Sequence, residues 1–239
     1  MIPLRDSVPS RRAPVVTIAL IASNVAVFLY EATLTPHELQ QLLDRFALVP
    51  ARLSDPAANW LEAYLPLLTS TMLHGGWAHV LGNMWMLWIF GDNVEDRFGR
   101  ANFLGFYFGC GVLAGLMHCA SAPDSPVPTI GASGAVSGVM GAYFLMFPRA
   151  RVIVLVPVLF YPLLFLLPAA SFMVLWFVMQ LMGGLVALGA GPEVGGVAWW
   201  AHIGGFAAGA AFCLLLGRPG AEQRRLMRER RERWERWLQ

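Results

Sequence analysis

Six apolar stretches, at about 15–33, 77–92, 101–119, 133–148, 169–189 and 199–217, decide what this chain can fold into. Several approach or exceed the roughly 20 residues a helix needs to cross a bilayer. A soluble chain would have to hide them in one or two cores and cover those cores with polar side chains. This chain lacks that polar surface: 57% of its 239 residues are hydrophobic and 13% charged, against about 25% charged in ordinary soluble domains. Within lipid every backbone polar group must find its partner inside the protein, which a helix achieves alone. The sequence therefore predicts an all-α, polytopic membrane protein with six transmembrane helices. The first apolar stretch lacks a clear small-residue cleavage site and is expected to stay as a helix, not to act as a removable signal.

Arginine placement predicts the orientation, because basic residues collect on the cytoplasmic side. Arg5, Arg11 and Arg12 precede the first stretch, Arg97 and Arg100 follow the second, Arg149 and Arg151 follow the fourth, and eight arginines from Arg218 to Arg236 follow the sixth. With six spans these four regions share one side, so both termini are predicted cytoplasmic. The other side holds Arg45 and Arg52 among more acids. The apolar stretch 150–168 is interrupted by Pro157, Pro162 and Pro168. Proline lacks a backbone donor and kinks helices, so this stretch is read as an irregular or interfacial connection, the alternative being a seventh, broken helix. A seventh full span would put the arginine-rich tail outside. Three divisions follow: a cytoplasmic N-terminal segment 1–14, a membrane domain 15–217 and a basic cytoplasmic C-terminal helix 218–239. That tail either lies on an anionic leaflet or is a solvated helix with local ion pairs. The three cysteines, an odd number without framework spacing, are given no role.

Polar side chains recur at one depth. Ser133 lies 16 residues before Arg149 and His202 lies 16 before Arg218, while His79 and Asn83 lie 18 and 14 before Arg97. At 1.5 Å per residue, 16 residues make roughly 24 Å, which places all four some 5–10 Å beneath the outer face of a core about 30 Å thick. Taken singly, Ser133 reads as a helix-packing serine, Asn83 as interhelical glue and His202 as a satisfied structural histidine. Four polar groups at one level on three helices read instead as one site. Gly134 and Gly138 follow Ser133, and Gly205 and Gly209 follow His202, and such small-xxx-small faces let helix backbones approach closely. A histidine beside the serine would take its proton and later protonate the leaving amine. His79 and Asn83, spaced i and i+4, would present donors to a developing oxyanion, joined by the Ser133 backbone N–H. Helix 199–217 contains no acid, and Glu193 sits in an outer loop, so the expected unit is a Ser–His dyad without a third member. His74 and His79 are five apart, and no H-E-x-x-H pattern is present, so no metal site is expected.

Four segments carry a family resemblance: "HGGWAHVLGN" (74–83), "GDNVEDRFG" (91–99), "GASGAVSG" (131–138) and "AHIGGFAAG" (201–209). In this order on these stretches they resemble the rhomboid intramembrane serine proteases of bacterial type, over residues 15–217. The resemblance implies a six-helix rhomboid bundle in which Ser133 is the nucleophile, His202 the general base, and His79 and Asn83 the oxyanion site. His74, Gly131 and Gly134 would support that site, and Glu95 and Arg97 would stabilise the cytoplasmic end of the second helix. It also implies a first outer loop at 34–73, a mobile fifth helix, and an outer cap at "GAGPEVGG" (189–196). No cofactor and no nucleic-acid partner are implied. The implied substrates are single-span membrane proteins cut within the lipid bilayer, and the implied location is the bacterial inner membrane. Oligomeric state is not indicated.

The chain departs from the family in two places. Several members carry an aromatic ring four residues after the serine, where this chain has Ser137, so the resemblance does not say what orients His202. Leu65 and Pro66 stand where some members have a Trp-Arg pair. Two other readings remain at this point. One is a catalytically silent rhomboid-like protein that binds or escorts membrane helices. The other is a transporter or channel, which would string polar groups across the full membrane depth.

Overall fold

The computed structural model describes residues 1–158, 161–190 and 197–216, with positions 229, 232 and 236 of the C-terminal segment. The expected outer cap at 189–196 and the expected basic helix at 218–239 lie largely outside these residues. In chain order the elements are β1 (Ile2–Asp6), α1 (Val15–Glu31), α2 (Pro36–Phe46), α3 (Pro50–Ser54), α4 (Trp60–Tyr64), α5 (Pro66–Thr69), α6 (Trp77–Phe98), α7 (Arg100–Ser121), α8 (Ser133–Met146), β2 (Arg151–Val158), β3 (Tyr161–Pro168), α9 (Ala169–Ala190) and α10 (Trp199–Leu216). The chain is mostly helical. Two of the helices, α7 and α9, are long and apolar enough to cross a bilayer, and α1, α8 and α10 are shorter apolar helices.

Helix α8 is the centre of the fold. It is apolar around its whole circumference, which suits a helix enclosed by others, and it packs against α6, α7 and α10. Ala135, Val139, Ala142 and Tyr143 are fully buried there, with Leu87 and Phe90 of α6 and Phe103 and Tyr107 of α7 around them. Helix α9 is equally apolar but lies at the periphery. Val174, Leu175, Met182, Leu185 and Val186 are each at least 44% exposed. A continuous apolar face of that kind would be a liability in water; in a bilayer it is the lipid-facing surface.

The first outer segment is built from short capped helices. Thr35 caps α2 by accepting from the Glu38 N–H, and the Glu38 carboxylate accepts from the Thr35 N–H in return. Pro36 opens the helix at a position where its missing donor costs nothing. Helix α1 has no such cap of its own. Its first N–H groups are taken by Glu95 from α6: Val16 donates to Oε1 at 3.0 Å and Thr17 to Oε2 at 2.7 Å, with the Thr17 hydroxyl adding a third bond at 2.8 Å. A carboxylate at a helix N-terminus is favoured by the helix dipole as well as by these bonds.

The structure corrects the all-α expectation. β1, β2 and β3 form one antiparallel sheet in that order, with Arg151 paired to Pro168 and Val158 to Tyr161 in the β2–β3 hairpin. The stretch expected to be irregular is thus a hairpin. Its prolines do rule out helix, but "RVIVLVPV" is a β-branched run that suits a pleated strand. Pro162 and Pro168 lie on the edge strand β3, where a missing donor is tolerated. Val152 and Val154 of the central strand β2 are fully buried.

The same sheet brings the N-terminal residues into the fold. The Trp85 indole donates to the Pro3 carbonyl at 2.6 Å, and Ser7 N–H donates to the Arg151 carbonyl at 2.8 Å. Asp6 accepts from the Tyr143 hydroxyl and, at 3.1 Å, from the Asn93 amide. Burial raises the Asp6 carboxyl from its ordinary 3.8 to about 8, the nearby Asp92 adding to the shift and the Tyr143 bond opposing it. The folded state therefore holds a proton that the unfolded chain releases between about pH 4 and pH 8, and stability falls as pH rises through that window. The slope from one such group approaches about 1.4 kcal/mol per pH unit. Asp6→Asn keeps an acceptor for Tyr143 and carries no titratable proton. Melting curves in detergent between pH 5 and pH 8 are expected to flatten in this variant, which should be the more stable protein at pH 8; an unchanged slope would show that Asp6 does not set it.

Candidate active site

Helices α8 and α10 meet backbone to backbone. A Cβ built on Gly205 would lie far inside van der Waals contact with the Gly134 carbonyl oxygen, and one on Gly209 far inside contact with the Gly138 carbonyl oxygen. From the other side, Gly141 is filled by the Phe206 carbonyl. Side chains on these faces would hold the helices apart, so the two small-xxx-small patterns read from the sequence do serve this close approach. The contact begins at Gly134, beside Ser133, where a Cβ would lie 3.8 Å from the Ala201 carbonyl oxygen, next to His202.

Ser133 is the first residue of α8. Its backbone N–H belongs to the first turn, whose donors have no partner within the helix, and the helix dipole places partial positive charge there. The loop in front of it turns at Gly131, with φ of 128°. A Cβ on Gly131 would lie 2.6 Å from His79 Nε2 and 3.6 Å from Ser133 Oγ. Only a glycine lets the loop pass between the ring of His79 and the hydroxyl of Ser133. The Gly131 N–H donates to the Ser70 carbonyl at 2.8 Å, which pins the loop to the segment before α6.

His79 Nδ1 accepts from the Gly75 N–H at 3.4 Å. An acceptor role at Nδ1 leaves the proton of the neutral ring on Nε2, the nitrogen that faces Gly131. Asn83 lies one turn further along the same face of α6, and its amide nitrogen is buried with no partner among the described residues. His74 is also brought here. Its ring meets that of His79 edge to face with centroids 5.1 Å apart, and its backbone N–H donates to the Glu31 carboxylate at 3.1 Å.

His202 lies in the first turn of α10, flanked by the rings of Trp199 and Trp176 at centroid distances of 6.4 and 6.1 Å. Its Nδ1 is 2.7 Å from Oε1 of Gln180 in α9. Among the described residues no hydrogen bond joins the Ser133 hydroxyl to His202. The Ser137 hydroxyl, at the position where the sequence offered no aromatic ring, donates back to the Ser133 carbonyl at 2.6 Å. His118 of α7 lies near the site as well, 2.9 Å from the Thr129 hydroxyl.

Ser133, His79, Asn83, His74, Gly131, Gly134 and His202 are thus gathered at one end of α6, α8 and α10. Glu95 lies near the far end of α6 as the cap of α1, and Arg97 lies in the last turn of α6. Sequence reasoning missed Gln180, Trp176, His118 and Thr129. Gln180 carried a readable signal, since it is a lone amide in the apolar helix Ala169–Ala190 and polar groups at such depth are expensive.

A family model described as the rhomboid domain matches residues 61–219, about two thirds of the chain. The bovine (Bos taurus) protein described as presenilin-associated rhomboid-like, mitochondrial, is 30% identical over 139 residues, covering 57% of this chain and 34% of its own. The mitochondrial rhomboid protein 1 of Saccharomyces cerevisiae is 25% identical over 221 residues, covering 90% of this chain and 57% of its own. The rhomboid protease GluP of Bacillus subtilis is 42% identical over 76 residues, covering 32% of this chain and 14% of its own. The chain therefore spans between about a third and somewhat over half of the first two of these relatives.

Proposed function

The chain belongs to the rhomboid family, and from that membership we propose that it is an intramembrane serine endopeptidase that cuts single-span membrane proteins. Ser133 is the nucleophile and His202 the general base. His79 Nε2–H, the Asn83 amide and the Ser133 N–H receive the oxyanion. The observation that carries this reading is the glycine-mediated contact of α8 with α10 directly beside Ser133 and His202. It supports the reading because the residues that follow Ser133 on α8 pack against those that follow His202 on α10, and a serine nucleophile needs a base on a neighbouring element to take its proton.

The reaction follows from these parts. His202 removes the proton of the Ser133 hydroxyl as its oxygen attacks the scissile carbonyl. The carbonyl oxygen becomes an anion and is met by donors already aimed at it, so little reorganisation is required in the transition state. His202 then passes the proton to the leaving amine, and water resolves the acyl-enzyme by the same steps in reverse order. Peptide bonds inside a substrate helix are shielded, so substrates are membrane spans that unwind easily.

We place six crossings at α1, α6, α7, α8, α9 and α10, with both termini on the arginine-rich face. The relatives come from mitochondria and from a bacterium, so the bacterial inner membrane expected from the sequence is not favoured over an organellar one.

Fluorophosphonates react with serines activated by a neighbouring base. Incubation of the detergent-purified protein with such a probe, followed by peptide mapping, is expected to give one adduct, on Ser133. A protein that remains unlabelled while binding membrane helices would be the silent, escorting kind of rhomboid-like protein.

A further inference from the structure

We infer that Gln180 is the positioning residue of His202: its side-chain oxygen holds the imidazole in the Nδ1–H tautomer, leaving Nε2 as the proton acceptor. The inference rests on the dyad reading above. Two hydrogen bonds fix the direction of the contact. The Gln180 amide nitrogen donates to the Trp176 carbonyl at 3.2 Å, which settles which end of the amide faces away. The oxygen is then the atom 2.7 Å from His202 Nδ1, and an amide oxygen only accepts. Nδ1 must therefore carry the proton, and the other ring nitrogen has a free lone pair.

The two histidines of the site are fixed in opposite forms by this arrangement. His79 accepts at Nδ1 and offers Nε2–H, the form an oxyanion donor needs. His202 donates at Nδ1 and offers a bare Nε2, the form a base needs. Gln180 thereby takes the place that an acid occupies in a triad, without a charge that would have to be buried in an apolar helix. Gln180 is 5% exposed, and Trp176 one turn earlier lays its ring beside His202, so α9 supplies both a hydrogen-bond partner and a ring contact to the imidazole. Helix α9 packs mainly on α10, with smaller contacts to α8 and to the hairpin, and leaves a broad apolar face exposed.

The test compares wild type, Gln180→Met and Gln180→Glu by two readouts. In ¹⁵N-histidine spectra, with His202→Ala used to assign the signal among the five histidines, wild type and Gln180→Glu are expected to show the Nδ1–H form. Gln180→Met, which fills the same space without an acceptor, should lose it. Fluorophosphonate labelling of Ser133 should slow by roughly 10–100-fold in Gln180→Met, by analogy with the loss of a partner that orients a metal-bound histidine, and recover at least partly in Gln180→Glu. A wild-type spectrum in the Nε2–H form, or a Gln180→Met protein with wild-type tautomer and labelling rate, would overturn the inference. If wild type does not label at all, the protease reading fails, and the spectra still decide the role of Gln180. If Gln180→Met does not fold, the wild-type and Gln180→Glu spectra decide it.

Discussion

Ser133→Ala is expected to lower cleavage of a membrane-span substrate by about 10⁶-fold, the order seen when a serine nucleophile that acts as a unit with its base is removed. Folding should hardly change. Ser133 is the opening residue of α8, and the cap position before it is occupied by Ala132. Alanine is at least as good a helix former as serine, and among the described residues the hydroxyl makes no hydrogen bond that alanine would forfeit. The melting temperature and the detergent-exclusion profile should therefore match wild type while proteolysis and probe labelling vanish together. That pattern separates the readings of Ser133. A packing serine would cost a few tenths of a kcal/mol and leave cleavage intact. A nucleophile costs the reaction and leaves the fold intact. Reconstituted Ser133→Ala protein that cuts at the wild-type rate would remove Ser133 from the mechanism.

What could be read in the sequence, and what could not, follows from the range of the interactions. Helix positions were legible because long apolar runs fix them locally, and the meeting of α8 and α10 was legible because Gly134, Gly138, Gly205 and Gly209 repeat at helical spacing. Spacing from the arginines puts Ser133, His202, His79 and Asn83 at one level, and these residues lie near the starts of α6, α8 and α10. The hairpin was hidden by its prolines, which exclude helix but do not announce a strand; the β-branched run from Val152 to Val156 was the better cue. Asp6 could not be foreseen, since its partners Tyr143 and Asn93 lie 137 and 87 residues away. Glu95 was expected to be structural, yet its target, the uncapped start of α1, is visible only in three dimensions. Gln180 escaped for a related reason. Its value depends on a ring 22 residues later in the chain, and no spacing rule connects two helices through a loop of arbitrary length.

Gly131→Ala should be the second most damaging change, although it removes no functional group. The added methyl would lie 2.6 Å from His79 Nε2 and 2.7 Å from Cε1, well inside contact distance, and the backbone there has φ of 128°, where a side chain is strained by roughly 1–3 kcal/mol. The ring cannot simply withdraw, because Gly75 holds its Nδ1 and His74 stands edge-on against it. The loop cannot withdraw either, because the Gly131 N–H is bonded to Ser70. On the proposed mechanism, displacement of His79 takes an oxyanion donor out of position, and losing one such donor costs about 10²–10³ in rate. Gly131→Ala is thus expected to reduce labelling and cleavage by that factor while the melting temperature drops only modestly. The steric cause makes a sharper demand on the double variant. In a His79→Ala background the methyl has no ring to strike, so Gly131→Ala should there retain only the backbone strain, and the two substitutions should be far from additive. Equal losses from Gly131→Ala in both backgrounds would mean that the glycine serves the loop alone, and that His79 is not held where an oxyanion donor has to be.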